Sequence, residues 1–131
     1  MKRTSIQIRF TDIDVFGHVN NAIYAELFDT ARYTFIKDLL PDLDPKGRSI
    51  VLVHLDTDFR KQILFTDRIY VETWINKVGE RSVGMGQRIV NEEDGSVHAE
   101  SSSVLSTYDA ALQQSFPMPE KWRKALEAIK E

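Results

Sequence analysis

The 131-residue chain contains no cysteine, which excludes a disulfide framework, a thiolate metal site and a cysteine nucleophile. Proline and glycine are sparse, at 4 and 6 residues, too few for a collagen-like or Pro/Gly-rich disordered chain. Neither sign of charge dominates: 17 Lys and Arg face 20 Asp and Glu, a net charge of −3. With no concentrated basic face, the chain does not read as a nucleic-acid binder. Long apolar runs are also missing. The longest uncharged stretch, Val15 to Ala25, falls well short of the about 18 residues of a membrane span. Met1-Lys2-Arg3 is basic, but no apolar segment follows, which argues against a secretory signal. What is present, 42% hydrophobic and 28% charged residues, fits one ordinary domain over residues 1–131, expected in the cytoplasm.

The pattern within that domain is readable. Ser5 to Thr11 alternates Ile6, Ile8 and Phe10 against polar neighbours, the period of a half-buried strand. Asp12 to Asn21 carries Gly17 and two Asn, and reads as a loop ending in a helix cap. From Asn21 to Leu40 the apolar residues fall at helical spacing, and Pro41 stops the run. Ile50 to Phe59, Ile69 to Val78, Arg81 to Val90 and Ser96 to Tyr108 alternate as strands. Short turn signals separate them, the strongest being Asp94-Gly95, read as a type I′ hairpin. The expected architecture is α+β: a five-stranded antiparallel sheet, its last four strands in a meander, wrapped around one long central helix. A short amphipathic C-terminal helix (Trp122, Leu126, Ile129) follows Pro117 and Pro119.

The densest polar cluster runs from Asp12 to Asn21. It fails as a calcium loop, because the fifth and twelfth positions would be Phe16 and Ile23. His18, His54 and His98 are too scattered for a zinc signature, and no nucleophile elbow, Walker loop or dinucleotide fingerprint occurs. What survives is a carboxylate, Asp14, just before a helix N-terminus. Unpaired N–H groups of a first helical turn can hold a carbonyl oxygen as it becomes an oxyanion, while a nearby acid serves as base or nucleophile. From composition and spacing alone, Asp12 and Asp14 read at least as well as turn caps. His54 and His98 fall within predicted strands; His54 reads as facing solvent or a subunit seam, with a dehydratase-type base as its other reading. Tyr70 and Trp74 read as core or interface.

The run Arg9-Phe10-x-Asp12-x-Asp14-x-x-Gly17-His18-Val19-Asn20-Asn21-x-x-Tyr24, with Phe28 and Arg32 beyond it, resembles the signature of the 4-hydroxybenzoyl-CoA thioesterase-like family. Asp58-Phe59-Arg60, Asp67 and the segment Phe116 to Pro119 extend the resemblance over nearly the whole chain. It implies the hot dog fold and an acyl-CoA thioester hydrolase of fatty acid metabolism, with no cofactor and no metal, coenzyme A being part of the substrate. Asp14 is then the catalytic acid, and the backbone N–H of Asn21 the oxyanion donor. Gly17, His18, Asn20 and Tyr24 are expected around the substrate, although Tyr24, on an apolar helix face, also reads as core, and Asp12 as a loop support. Arg60, Lys61 and Arg81, with Lys77 and Arg88, are candidates for the coenzyme A phosphates. Ile23, Leu27 and Val53 would line the acyl slot. A homodimer or homotetramer is implied. The alternatives are an acyl-acyl carrier protein thioesterase, a hot dog dehydratase and a non-catalytic acyl-CoA binding module.

Overall fold

All 131 residues are described by the structure, a computed structural model. The order is β1 (Lys2–Ile6), a 3₁₀ turn (Phe10–Asp12), α1 (Asn21–Leu39), β2 (Arg48–Phe59), β3 (Ile69–Val78), β4 (Ser82–Asn91), β5 (Val97–Asp109) and α2 (Glu120–Ala128). The five strands form one antiparallel sheet in the order β1-β3-β4-β5-β2. Helix α1 lies across its inner face, so the expected wrapped-sheet architecture is present. At 19 residues α1 is about 28 Å long, enough to cross the whole sheet. No helix is long and apolar enough to cross a membrane.

Three local expectations fail, each for a physical reason. The first strand lies earlier than the alternation of Ser5 to Thr11 suggests, because β1 runs out of partner where Ile6 pairs with Ile69, the first residue of β3. Beyond it, Arg9 and Asp12 bond each other and close the 3₁₀ turn. The meander holds only for β3, β4 and β5: β2 pairs with β5, at the far edge from β3. Residues 60–68 cross the intervening strand ends, three strand spacings or about 14 Å, well within nine residues of chain. The path is pinned along the way. Arg60 and Lys61 N–H donate to His98 O on β5, Ile63 is fully buried, and Arg68 O accepts from Glu92 N–H at the end of β4. Finally, the Asp94-Gly95 turn is not type I′. Only Gly95 has a positive φ, +74°. Asn91 Oδ1 accepts from Glu93 N–H and Asn91 O from Gly95 N–H, both at 2.9 Å, which closes a longer loop.

The core beneath α1 has two apolar halves. Tyr24, Leu27, Phe28 and Ala31 pack with Ile63, Val71 and Ile89; Phe35, Ile36 and Leu40 pack with Ile75, Met85 and Leu105, and with Trp122 and Leu126 of α2. Between them the buried Thr73, Gln87 and Ser101 face one another across β3, β4 and β5. Gln87 Nε2 donates to Phe28 O at 3.0 Å and to Thr73 Oγ1 at 3.1 Å, tying this band to the middle of α1. Tyr70 and Trp74 point the other way, to the outer face, where Arg3 and Arg88 stack on their rings. They are not part of the helix-facing core.

Candidate active site

Asp14 opens a miniature hairpin. Ile13 and Val19 bridge antiparallel, Asp14 N–H donates to His18 O at 2.9 Å, and Gly17 N–H donates to Asp14 O at 3.1 Å. Gly17 has φ +89°, the left-handed residue that closes such a three-residue connection. A Cβ there would meet nothing within 4 Å, so the demand for glycine is conformational, not spatial. Asp14 Oδ1 accepts from Phe16 N–H at 2.9 Å, while Oδ2 has no partner in the fold. One oxygen thus shapes the turn and the other stays free. His18 Nδ1 lies 3.9 Å from Asp14 Oδ1, beyond hydrogen-bond length, and its backbone bridges to Leu64. Asp12 is buried and bound by Arg9 through its side chain and its backbone N–H. Burial pushes the Asp12 carboxyl up, but the Arg9 hydrogen bonds outweigh it and hold the group below its ordinary value.

The start of α1 lies directly beyond this hairpin. Asn20 is its N-cap: its Oδ1 accepts from Ala22 N–H at 2.9 Å and its backbone carbonyl from Ile23 N–H at 2.8 Å. The N–H of Asn21, first residue of the helix, is left without a partner. It sits at the positive end of the helix dipole. The loop is anchored from below, with Val19 N–H donating to Ile63 O and Asn20 N–H to Asp12 O, both at 2.8 Å.

Behind this anchor is a residue whose role the sequence did not disclose. His98, which the sequence places only within a strand, is fully buried. Its Nδ1 donates to Lys61 O at 3.1 Å and its Nε2 accepts from Asn91 Nδ2 at 3.3 Å, which calls for the Nδ1-protonated tautomer. Asp67 Oδ2 accepts from Leu64 N–H at 2.8 Å and lies 3.9 Å from His98 Nε2. Lys61 lies 37 residues from His98, so no local signal reports that contact. His54 is exposed on β2 and bonded to Asp56.

Not every candidate joins the site. Tyr24 is buried in the core with its ring edge-on to Phe59, and burial pushes its phenol up. Asn20 has its side-chain oxygen committed to the cap, which leaves its amide Nδ2 as the group free to meet a ligand. Arg60 and Lys61 are on the crossover, exposed and paired with Glu100 and Asp94. Arg81 sits in the β3–β4 turn and donates to Ser115 Oγ, at the opposite end of the strands from Asp14. Arg88 is tied to Glu72 on the outer face. Leu27 is core, and a bulge between Leu52 and His54 leaves Val53 exposed on the edge strand. The main apolar cleft, about 490 Å³, lies instead between the second half of α1 and the start of β2. Asp14 does not line it.

Residues 8–126 match the sequence model of the thioesterase-like superfamily. The chain belongs to that superfamily. Its sheet-wrapped helix is the hot dog fold, and it is a hydrolase of the thioesterase kind. The long-chain acyl-CoA thioesterase FadM of Escherichia coli (strain K12) is 24% identical over 129 residues, 97% of this chain and 98% of that protein. A protein of Pseudomonas aeruginosa strain PAO1 superposes with a TM-score of 0.89 at 26% identity, covering 100% of this chain and 92% of its own. A thioesterase of Thermus thermophilus, solved with coenzyme A and Zn, gives a TM-score of 0.84 at 27% identity, over 96% and 91% of the two chains. In this chain no group of three or more His, Asp or Glu side chains could hold a metal ion.

Proposed function

We propose that the protein hydrolyses an acyl-CoA thioester to the free acid and coenzyme A, with Asp14 as base or nucleophile and the Asn21 N–H as oxyanion donor. The observation that carries this reading is the free Asn21 amide. Its neighbours Ala22 and Ile23 are satisfied by Asn20, so one main-chain donor at the positive helix end is left for a ligand oxygen. The free Oδ2 of Asp14 supplies the acid, and the family and the names of its members supply the thioester. Two routes balance. In one, Asp14 takes a proton from water as it attacks the carbonyl, and the thiolate leaves. In the other, the carboxylate attacks, the carbon–sulfur bond breaks, and water resolves the mixed anhydride. Heavy oxygen from labelled water appearing in the Asp14 carboxyl group during a single turnover identifies the second.

The open edge of β2 supports a homodimer. Val51, Leu52, Val53 and Phe59 are exposed along a twelve-residue edge strand, a surface that other chains can extend. Two-fold pairing sets the first half of one β2 beside the second half of the other. The apolar cleft of one copy then adjoins the crossover and acid loop of its partner, which fits a cleft that its own Asp14 does not line. Thiol release across a panel of acyl-CoAs tests the reaction. Release from at least one of them supports it, and intact acyl-CoA bound for hours would reduce the protein to a binding module.

A further inference from the structure

The wall of the apolar cleft holds a buried cation whose hydrogen-bond donors the fold meets only in part. Arg32, on α1, lines the cleft with Tyr33, Ile36, Leu40, Ile50 and Leu52, and it is only 3% exposed. Its Nη1 donates to Asp29 Oδ1 at 3.1 Å. Its Nε and Nη2 are buried and have no hydrogen-bond partner. A buried guanidinium with unmet donors is costly, and burial lowers the pKa of this one against the counter-pull of Asp29. Asp29 is itself a largely exposed, hydrated partner.

The identity of the two free atoms matters. Nε–H and one Nη2–H point in parallel from one edge of the guanidinium plane, the fork that a carboxylate meets with both oxygens. A single carbonyl or hydroxyl would leave half of it unmet. The other charged side chains of the cleft, Asp29 and Lys37, cancel, so Arg32 leaves it with one positive charge in excess. The remaining lining is mostly aliphatic and aromatic, suited to a hydrocarbon chain. The fork is closed to solvent, so a ligand reaches it only as side chains lining the cleft move.

We propose that this cleft takes the distal part of an acyl group that ends in a carboxylate, with the Nε/Nη2 edge of Arg32 as the group that selects it. The inference rests on the acyl-thioester reading above and narrows it to dicarboxylic monothioesters. Arg32 acts on substrate choice, remote from the reacting carbonyl.

The experiment compares kcat/KM for matched pairs: hexanoyl- with adipoyl-CoA, octanoyl- with suberoyl-CoA, dodecanoyl- with dodecanedioyl-CoA. At one chain length the carboxylated substrate is expected to exceed its plain partner by about tenfold or more. Arg32→Met, which keeps the stem and removes the fork, should collapse that ratio. Arg32→Lys keeps the charge without the fork and should retain only part of it. Free suberate and dodecanedioate, titrated calorimetrically into the wild-type protein and each variant, read the cleft without turnover. Plain acyl-CoAs turned over with a ratio at or below one at every length would overturn the inference and leave the thioesterase standing. Dicarboxylate binding that needs Arg32, with no acyl-CoA hydrolysed, would do the reverse. A ratio unmoved by Arg32→Met alongside a halved mass in light scattering would overturn it by assigning Arg32 to a subunit contact. Should Arg32→Met fail to fold, the wild-type ratio and Arg32→Lys decide.

Discussion

The two oxygens of Asp14 are placed differently, and the proposed chemistry uses only the one that the turn leaves free. Oδ1 fixes the turn through Phe16 N–H, which an amide oxygen does equally well. Asp14→Asn should therefore fold with an unchanged melting temperature while thiol release falls by about a hundred- to ten-thousandfold. Unchanged turnover would remove Asp14 from the mechanism. Asp94 offers a pH test of a different kind. Its carboxylate accepts from Ser96 Oγ and N–H and pairs with Lys61, and these hold its pKa down from 3.8 to about 2. A carboxyl depressed by folding contributes stability above its unfolded value, and that stability drains away as pH falls through the folded value. Melting temperatures of wild type and Asp94→Asn should differ at neutral pH and converge as pH falls from 3.8 toward 2. A constant offset down to the acid limit would show that charge is not what Asp94 contributes. At this scale the sequence discloses residues whose partners are nearby, such as Asp14 with Phe16 and Asn20 with Ala22. It is silent on His98 and Arg32, whose surroundings are assembled from distant segments.

Helix α1 begins at Asn21, as its spacing predicts, because Asn20 caps it and Gly17 lets the chain turn into it. Replacing Asn20 with alanine removes the acceptor for Ala22 N–H and should cost about 1 kcal/mol of stability, read as a lower thermal midpoint. It also frees a second amide beside Asn21, so oxyanion binding spreads over two donors, and kcat should move more than KM if that terminus holds the carbonyl. Of the strands, the alternating ones from β2 to β5 are legible almost to the residue, since side-chain period survives wherever one face is buried. β1 is not. Ile8, apolar and in phase with Ile6, is buried below a turn and not in the sheet, and periodicity cannot tell those two burials apart.

For the molecule as a whole, the exposed apolar edge of β2 is the feature a single copy leaves unfinished. Wild-type protein should run in light scattering at twice its 15.1 kDa chain mass or a multiple of it. Val53→Glu places a charge on an edge side chain that is 60% exposed, outside the acid loop and outside the cleft lining. It should shift the mass to one chain and lower thiol release with it. A dimeric Val53→Glu protein, or a wild-type monomer with full activity, would move the interface elsewhere. Hydrophobic period, caps and turn residues are properties of short windows, so the sequence by itself determined the helix, four of the strands, the wrapped α+β class and the acid ahead of a helix start. Pairing partners are set by which buried surfaces meet. Only the tertiary structure therefore decided that β2 crosses to the edge beside β5, that His98 props the crossover from inside, and that Arg32 keeps an unmatched fork in an apolar wall.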